Sequence, residues 1–74
     1  MKNPLRMYAG TMGKRDLFFS LLLKSVLING KPAILAELTV ASSTGVIEAQ
    51  YEHVYSETLS DDAIRNDLLS MASS

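Results

Sequence analysis

The sequence predicts an α+β fold: an antiparallel β-meander of three strands, with a fourth available near the N-terminus, and a C-terminal α-helix packed on one face. Three features carry this expectation. Asn29-Gly30 separates two apolar runs, residues 46–55 alternate apolar and polar side chains, and residues 59–74 pair helix-start signals with an apolar stripe.

Asn-Gly between apolar segments is the strongest short-range hairpin signal, because a type I′ turn asks for positive φ at both central residues. Setting Ile28 opposite Lys31 then pairs Ser25 with Ile34, Leu23 with Ala36, Leu21 with Leu38 and Phe19 with Val40, an almost wholly apolar face. The other face pairs Val26 with Ala33, Lys24 with Leu35, Leu22 with Glu37 and Ser20 with Thr39. A one-residue slip would swap the faces of one strand, so the agreement between strands supports this register. A rival reading makes residues 16–28 a helix with Asp16 as N-cap and Gly30 beyond its end. Lys14 and Arg15 would then sit at the wrong pole of the dipole, and Phe18, Phe19, Val26 and Ile28 favour a strand.

"ASSTG" is a turn cluster, and "VIEAQYEHVY" after it reads as the next strand, with Ile47, Ala49, Tyr51, His53 and Tyr55 sharing one face. Glu37 opposite Glu48 would juxtapose like charges, so the expected register sets Glu37 against Gln50 and Thr39 against Glu48, with Ser42 to Gly45 as the loop. In the tail, Ser60 is the expected N-cap, Asp61 and Asp62 occupy the first turn, and Leu59 with Ile64 matches a hydrophobic staple. Ile64, Leu68 and Met71, broadened by Leu69, form the stripe expected to cover Phe19, Leu21, Leu23, Ile34, Leu38, Val40, Ile47 and Tyr51. Residues 1–15 read either as a basic arm or as a short edge strand over residues 4–9; residues 16–74 make the single meander-plus-helix domain.

Composition narrows the function classes. At 74 residues the chain has room for one domain. A core of that size supplies about 3–5 kcal/mol, which small domains supplement with disulfides, metals or oligomerisation. The sequence has no Cys and one His, His53, so disulfides, thiolate sites and an imidazole cluster are excluded, and oligomerisation is the route left. Charge is polarised along the chain. Lys2, Arg6, Lys14, Arg15, Lys24 and Lys31 face only Asp16 in residues 1–31, whereas Arg65 faces Glu37, Glu48, Glu52, Glu57, Asp61, Asp62 and Asp67 in residues 32–74. The apolar run at 17–28 is shorter than the roughly 20 residues a bilayer demands and is broken by Lys24, and no small-x-small cleavage site follows. The expectation is a cytoplasmic protein with no membrane partner.

No catalytic, cofactor or metal site is expected. A strand sends Glu52 to the opposite side from His53, and no Ser, Thr or carboxylate has a spacing that completes an acid–base pair. Tyr51, His53 and Tyr55 form an aromatic row that could stack bases, but Glu48, Glu52 and Glu57 flank it and the helix should cover it, so packing is the better account. Gly10 and Gly13 precede no phosphate loop, and no calcium-type spacing surrounds Asp61. What remains is surface. The second sheet face is too apolar to stand alone in water, and the expected partner-binding residues are Phe18, Leu22, Val26, Leu35, Val46, Glu48, Glu52 and Val54. The functional expectation is a non-enzymatic, homodimeric protein–protein interaction module, a regulator or inhibitor of the kind mobile elements encode. Two alternatives use the charges: a nucleic-acid binder working through the basic arm, and an acidic mimic of nucleic acid that blocks a binding partner.

Overall fold

The computed structural model describes residues 5–13 and 16–73. It contains β1 (Leu5–Met12), β2 (Leu17–Ile28), β3 (Lys31–Ser42), β4 (Ile47–Ser56) and α1 (Asp61–Ser73). The strands form one antiparallel sheet in the order β1-β2-β3-β4, so each strand pairs with its neighbour in sequence.

The β2–β3 hairpin follows from its corner. Asn29 and Gly30 adopt φ of 52° and 77°, the two left-handed residues of a type I′ turn. Ile28 pairs with Lys31 and the ladder runs unbroken to Leu17 opposite Ser42. Residues 16–28 are therefore not a helix; the β-favouring side chains and the turn outweigh the Leu-rich propensity. β1 adds the fourth strand, with Leu5 opposite Lys24 and Met12 opposite Leu17. Lys2, Lys14 and Arg15, named with the basic arm, lie outside the described residues.

The β3–β4 register differs from the sequence expectation by two residues. Glu37 pairs with Glu52 and Thr39 with Gln50, in place of Glu37 with Gln50 and Thr39 with Glu48. Two causes combine. The connection closes with Gly45 N–H donating to the Ser42 carbonyl at 2.9 Å and Ser42 N–H to the Val46 carbonyl at 2.9 Å, with Gly45 at φ 88°. A bulge between Val40 and Ala41 then skips Glu48, so that Val40 faces Ala49 while Ala41 faces Ile47. The like-charge penalty that argued against Glu37 beside a glutamate is offset by Lys24, whose Nζ donates to Glu37 Oε1 at 3.0 Å. A two-residue slip preserves the faces of β4, but the bulge moves Ile47 out of the core row, leaving it 58% exposed.

One face of the sheet carries the core: Phe19, Leu21, Leu23, Ile34, Ala36, Leu38, Val40 and Tyr55, capped by Ile64 and Leu68 of α1. Tyr8, Met12, Leu17, Ala49, Tyr51, Leu69 and Ala72 pack around it. The helix begins as expected, with Ser60 Oγ accepting from Ala63 N–H at 3.1 Å and the Ser60 carbonyl from Ile64 N–H. Its apolar stripe ends differently. Leu69 and Ala72 pack on the sheet while Met71 is 41% exposed, because a rotation toward the i, i+4, i+5, i+8 positions carries Met71 to the flank. Gly10 has a packing role that the sequence reading missed: it pairs with Phe19 across the β1–β2 ladder, and a Cβ on it would stand 2.9 Å from the Phe19 ring.

Two substitutions test this account. Gly30→Val should lower stability by about 1–2 kcal/mol, the cost of holding a Cβ residue in a left-handed conformation, read as a lower melting temperature. Gly10→Val should displace the Phe19 ring and cost about 1–3 kcal/mol by overpacking, whereas Gly10→Val in a Phe19→Leu background should cost less.

Candidate partner-binding face

Among the described residues, nothing covers the side of the sheet away from α1. Register places its rows: Thr11, Phe18, Ala41 and Ile47; Ala9, Ser20, Thr39 and Gln50; Met7, Leu22, Glu37 and Glu52; Leu5, Lys24, Leu35 and Val54; and Val26 with Ala33 and Ser56. Of the residues expected to bind a partner, Phe18, Leu22, Val26, Leu35, Glu52 and Val54 share this face. Val46 precedes β4 in the connecting loop, 57% exposed, and Glu48 sits in the bulge at the sheet margin. Phe18 and Val54 are each close to half exposed.

Leu5, Met7 and Ile47 join the same face and were not among the expected residues. Met7 is 67% exposed and sits beside Leu22. The alternation of Leu5, Met7 and Ala9 was the available signal, and it becomes decisive only once β1 is known to pair with β2. The centre of the face is polar. Lys24 and Glu37 are ion-paired, with Glu52 directly across from Glu37. The face is thus an apolar frame around a short charged seam.

The opposite side uses its polar groups to fasten the helix. Arg6 and Tyr8, alternating on the core side of β1, both reach Asp61 at the start of α1: Arg6 Nε donates to Asp61 Oδ2 at 2.7 Å and the Tyr8 hydroxyl donates to the same oxygen. At the other outer strand, the Tyr55 hydroxyl donates to Asp67 Oδ2 at 2.6 Å. Two phenol–carboxylate bonds therefore tie α1 to β1 and to β4. Partial burial pushes the Asp61 carboxyl up, but the hydrogen bonds from Tyr8 and Arg6 and the Arg6 charge outweigh it, and the net shift is downward. Tyr8 is raised by its bond to Asp61, and Tyr55 is raised strongly by burial and then by Asp67.

These contacts remove Arg6 and Tyr8 from the free surface that a basic arm would present. The remaining carboxylates divide likewise. Asp62 pairs with Arg65 at 3.1 Å, while no ion pair among the described residues uses Glu48, Glu52 or Glu57. His53 is exposed, its ring 4.6 Å from that of Tyr55 and tilted against it, with no acid or nucleophile bonded to it among the described residues. Among those residues there is also no group of three His, Cys, Asp or Glu able to hold a metal ion, and no helix long and apolar enough to cross a membrane. A hollow of about 510 Å³ beside the hairpin end brings Arg6, Ser25 and Glu57 together with Val26, Leu27 and Pro32, without an imidazole. Comparison with protein-family models, with curated proteins and with solved structures gives no match.

The Asp61 cluster predicts an acid-sensitive helix. Because its folded-state pKa is depressed, its contribution is fully present above the ordinary carboxylate range and is lost as pH falls through the depressed value. Thermal melts taken from neutral pH to about pH 2 should fall less in Asp61→Asn than in the wild type. Tyr8→Phe should lower the melting temperature at neutral pH by removing one donor from that carboxylate.

Proposed function

We propose that this chain is a small, non-enzymatic protein–protein interaction module that self-associates through its open sheet face and serves as a regulator or inhibitor of another protein. The observation that carries the reading is the asymmetry of the sheet. One face is closed by Ile64 and Leu68, while the other leaves Met7, Phe18, Ile47 and Val54 between 45% and 67% exposed. Several large apolar side chains left open on one sheet face are a feature of association surfaces.

Size points the same way. A fold held by five fully buried large side chains, Leu21, Leu23, Leu38, Ile64 and Leu68, gains from burying a second face. The charges favour protein over nucleic acid as the occupant. Among the described residues the open face carries Glu37 and Glu52 against Lys24 and Lys31, with Lys24 paired to Glu37, so it holds no excess of cations.

Sedimentation at micromolar concentration tests the reading. The expected mass is twice 8.1 kDa, and Phe18→Asp or Val54→Lys, both at half-exposed positions that tolerate polar groups in the folded monomer, should shift it to the monomer with the far-ultraviolet spectrum unchanged. A wild-type monomer removes self-association. Binding to duplex DNA that weakens steeply with salt would instead support an arm-based nucleic-acid binder.

A further inference from the structure

The corner that sets the β2–β3 register also joins two groups that can react with each other. A backbone nitrogen that follows an asparagine can attack that residue's side-chain amide, and a glycine in the following position puts no Cβ in its way. The sequence has three asparagines. Asn3 precedes Pro4, whose nitrogen carries no hydrogen, and Asn66 lies within α1, where the next N–H enters the helical ladder. Only Asn29 precedes a glycine.

The structure leaves this pair unprotected by contacts. Asn29 and Gly30 are both exposed, and a Cβ built on Gly30 would meet nothing within 4 Å. Outside the strand ladders, no hydrogen bond among the described residues holds the Asn29 amide or the Gly30 N–H. The corner also overhangs the sheet. Among the described residues, β1 reaches only to Leu5 opposite Lys24 and β4 ends with Ser56 opposite Ala33, so residues 26–32 are held by the hairpin's own ladder. Leu27 and Ile28 within that tip are 71% and 46% exposed.

Backbone conformation is the remaining protection. With Asn29 left-handed at φ 52° in a type I′ turn, the Gly30 nitrogen points away from the Asn29 side chain across the Cα–C bond. The two groups meet only when Asn29 leaves that conformation. An overhanging tip can open in this way while Leu21, Leu23 and Leu38 stay buried, since segments with few buried contacts open at low local cost.

We propose that Asn29 is a self-modification site, gated by opening of the hairpin tip, whose iso-aspartyl product cannot restore the β2–β3 register. The Gly30 nitrogen attacks Asn29 Cγ; the new N–Cγ bond forms, the Cγ–Nδ2 bond breaks, and ammonia leaves with the proton from Gly30 N–H. Water then opens the cyclic imide. Attack at Cγ returns an ordinary peptide bond with aspartate at position 29, and Asp-Gly supports the same turn. Attack at the main-chain carbonyl sends the backbone through Cβ and Cγ, adding one atom to a two-residue loop and leaving a carboxylate beside it. Ile28 then no longer opposes Lys31. The proposal is independent of self-association.

Ageing the purified chain in mildly alkaline buffer, with and without concentrated urea, tests it by mass spectrometry of the peptide containing residue 29. Amide-to-acid conversion should be confined to Asn29 and should run about ten- to a hundredfold slower in native buffer than in urea. After ion-exchange separation, the aspartyl form should keep slow amide exchange from Val26 to Ala33, and the iso-aspartyl form should lose it. Asn29→Gly, which keeps a hairpin-compatible Gly-Gly corner without the side-chain amide, should retain that protection on ageing. An Asn29 still intact after weeks in native buffer would overturn the site. Equal rates in native buffer and urea would overturn the gating, and an iso-aspartyl form with wild-type protection would overturn the loss of register.

Discussion

Two left-handed residues, Asn29 and Gly30, determine which side chains share a face, and the rest of the molecule depends on that choice. By fixing Ile28 opposite Lys31 they commit both twelve-residue strands to one register. Phe19, Leu21 and Leu23 are thereby placed beside Ile34, Ala36, Leu38 and Val40, and Leu22, Lys24 and Val26 are sent to the other side. The helix has one surface worth covering, and it covers that one. Shifting either strand by a residue would mix Lys24 and Glu37 into the core, which explains why a short turn decides a whole architecture.

The parts of the fold that were legible in sequence are those governed by local chemistry. The Asn-Gly corner, the period-two alternation of β4 and the Ser60 cap each rest on a few adjacent residues, and each emerges where the residues put it. The β3–β4 register was illegible because it depends on two things that are distant in sequence. The loop after Ser42 closes with Gly45 at positive φ and forces a bulge at Ala41, and Lys24 on β2 reduces the repulsion between Glu37 and Glu52. A pairwise rule applied to β3 and β4 alone could not see a cation on a third strand. The misassigned Met71 has a similar origin, since the rotation of a helix about its axis is set by what lies beneath it.

The candidate face was readable in its central strands and not at its margins. Phe18, Leu22, Val26 and Leu35 follow from the hairpin register alone. Leu5 and Met7 required the knowledge that β1 is a strand, and the segment gave mixed signals because Gly10 reads as a break. In the structure Gly10 is the concession that lets the Phe19 ring lie across β1, an aromatic side chain covering the bare backbone of a neighbouring strand. Arg6, Tyr8 and Asp61 were likewise read as a tail and a helix start. Only the fold brings residues more than fifty positions apart to one carboxylate.

The charged seam in the middle of the open face answers a difficulty that a purely apolar surface would raise. A flat, fully apolar sheet face with free edges on both sides would associate with almost anything, including further copies in any register. Lys24 and Glu37 neutralise each other within one protomer, so burying them costs less than burying lone charges, yet each must keep its partner. Docking that pulls either residue out of that bond is penalised, and so is docking that brings a second carboxylate beside Glu52 without a cation. Apolar residues around the seam supply the drive to associate, and the seam restricts which partner and which orientation satisfy it. That division of labour is what distinguishes a binding surface from an aggregating one.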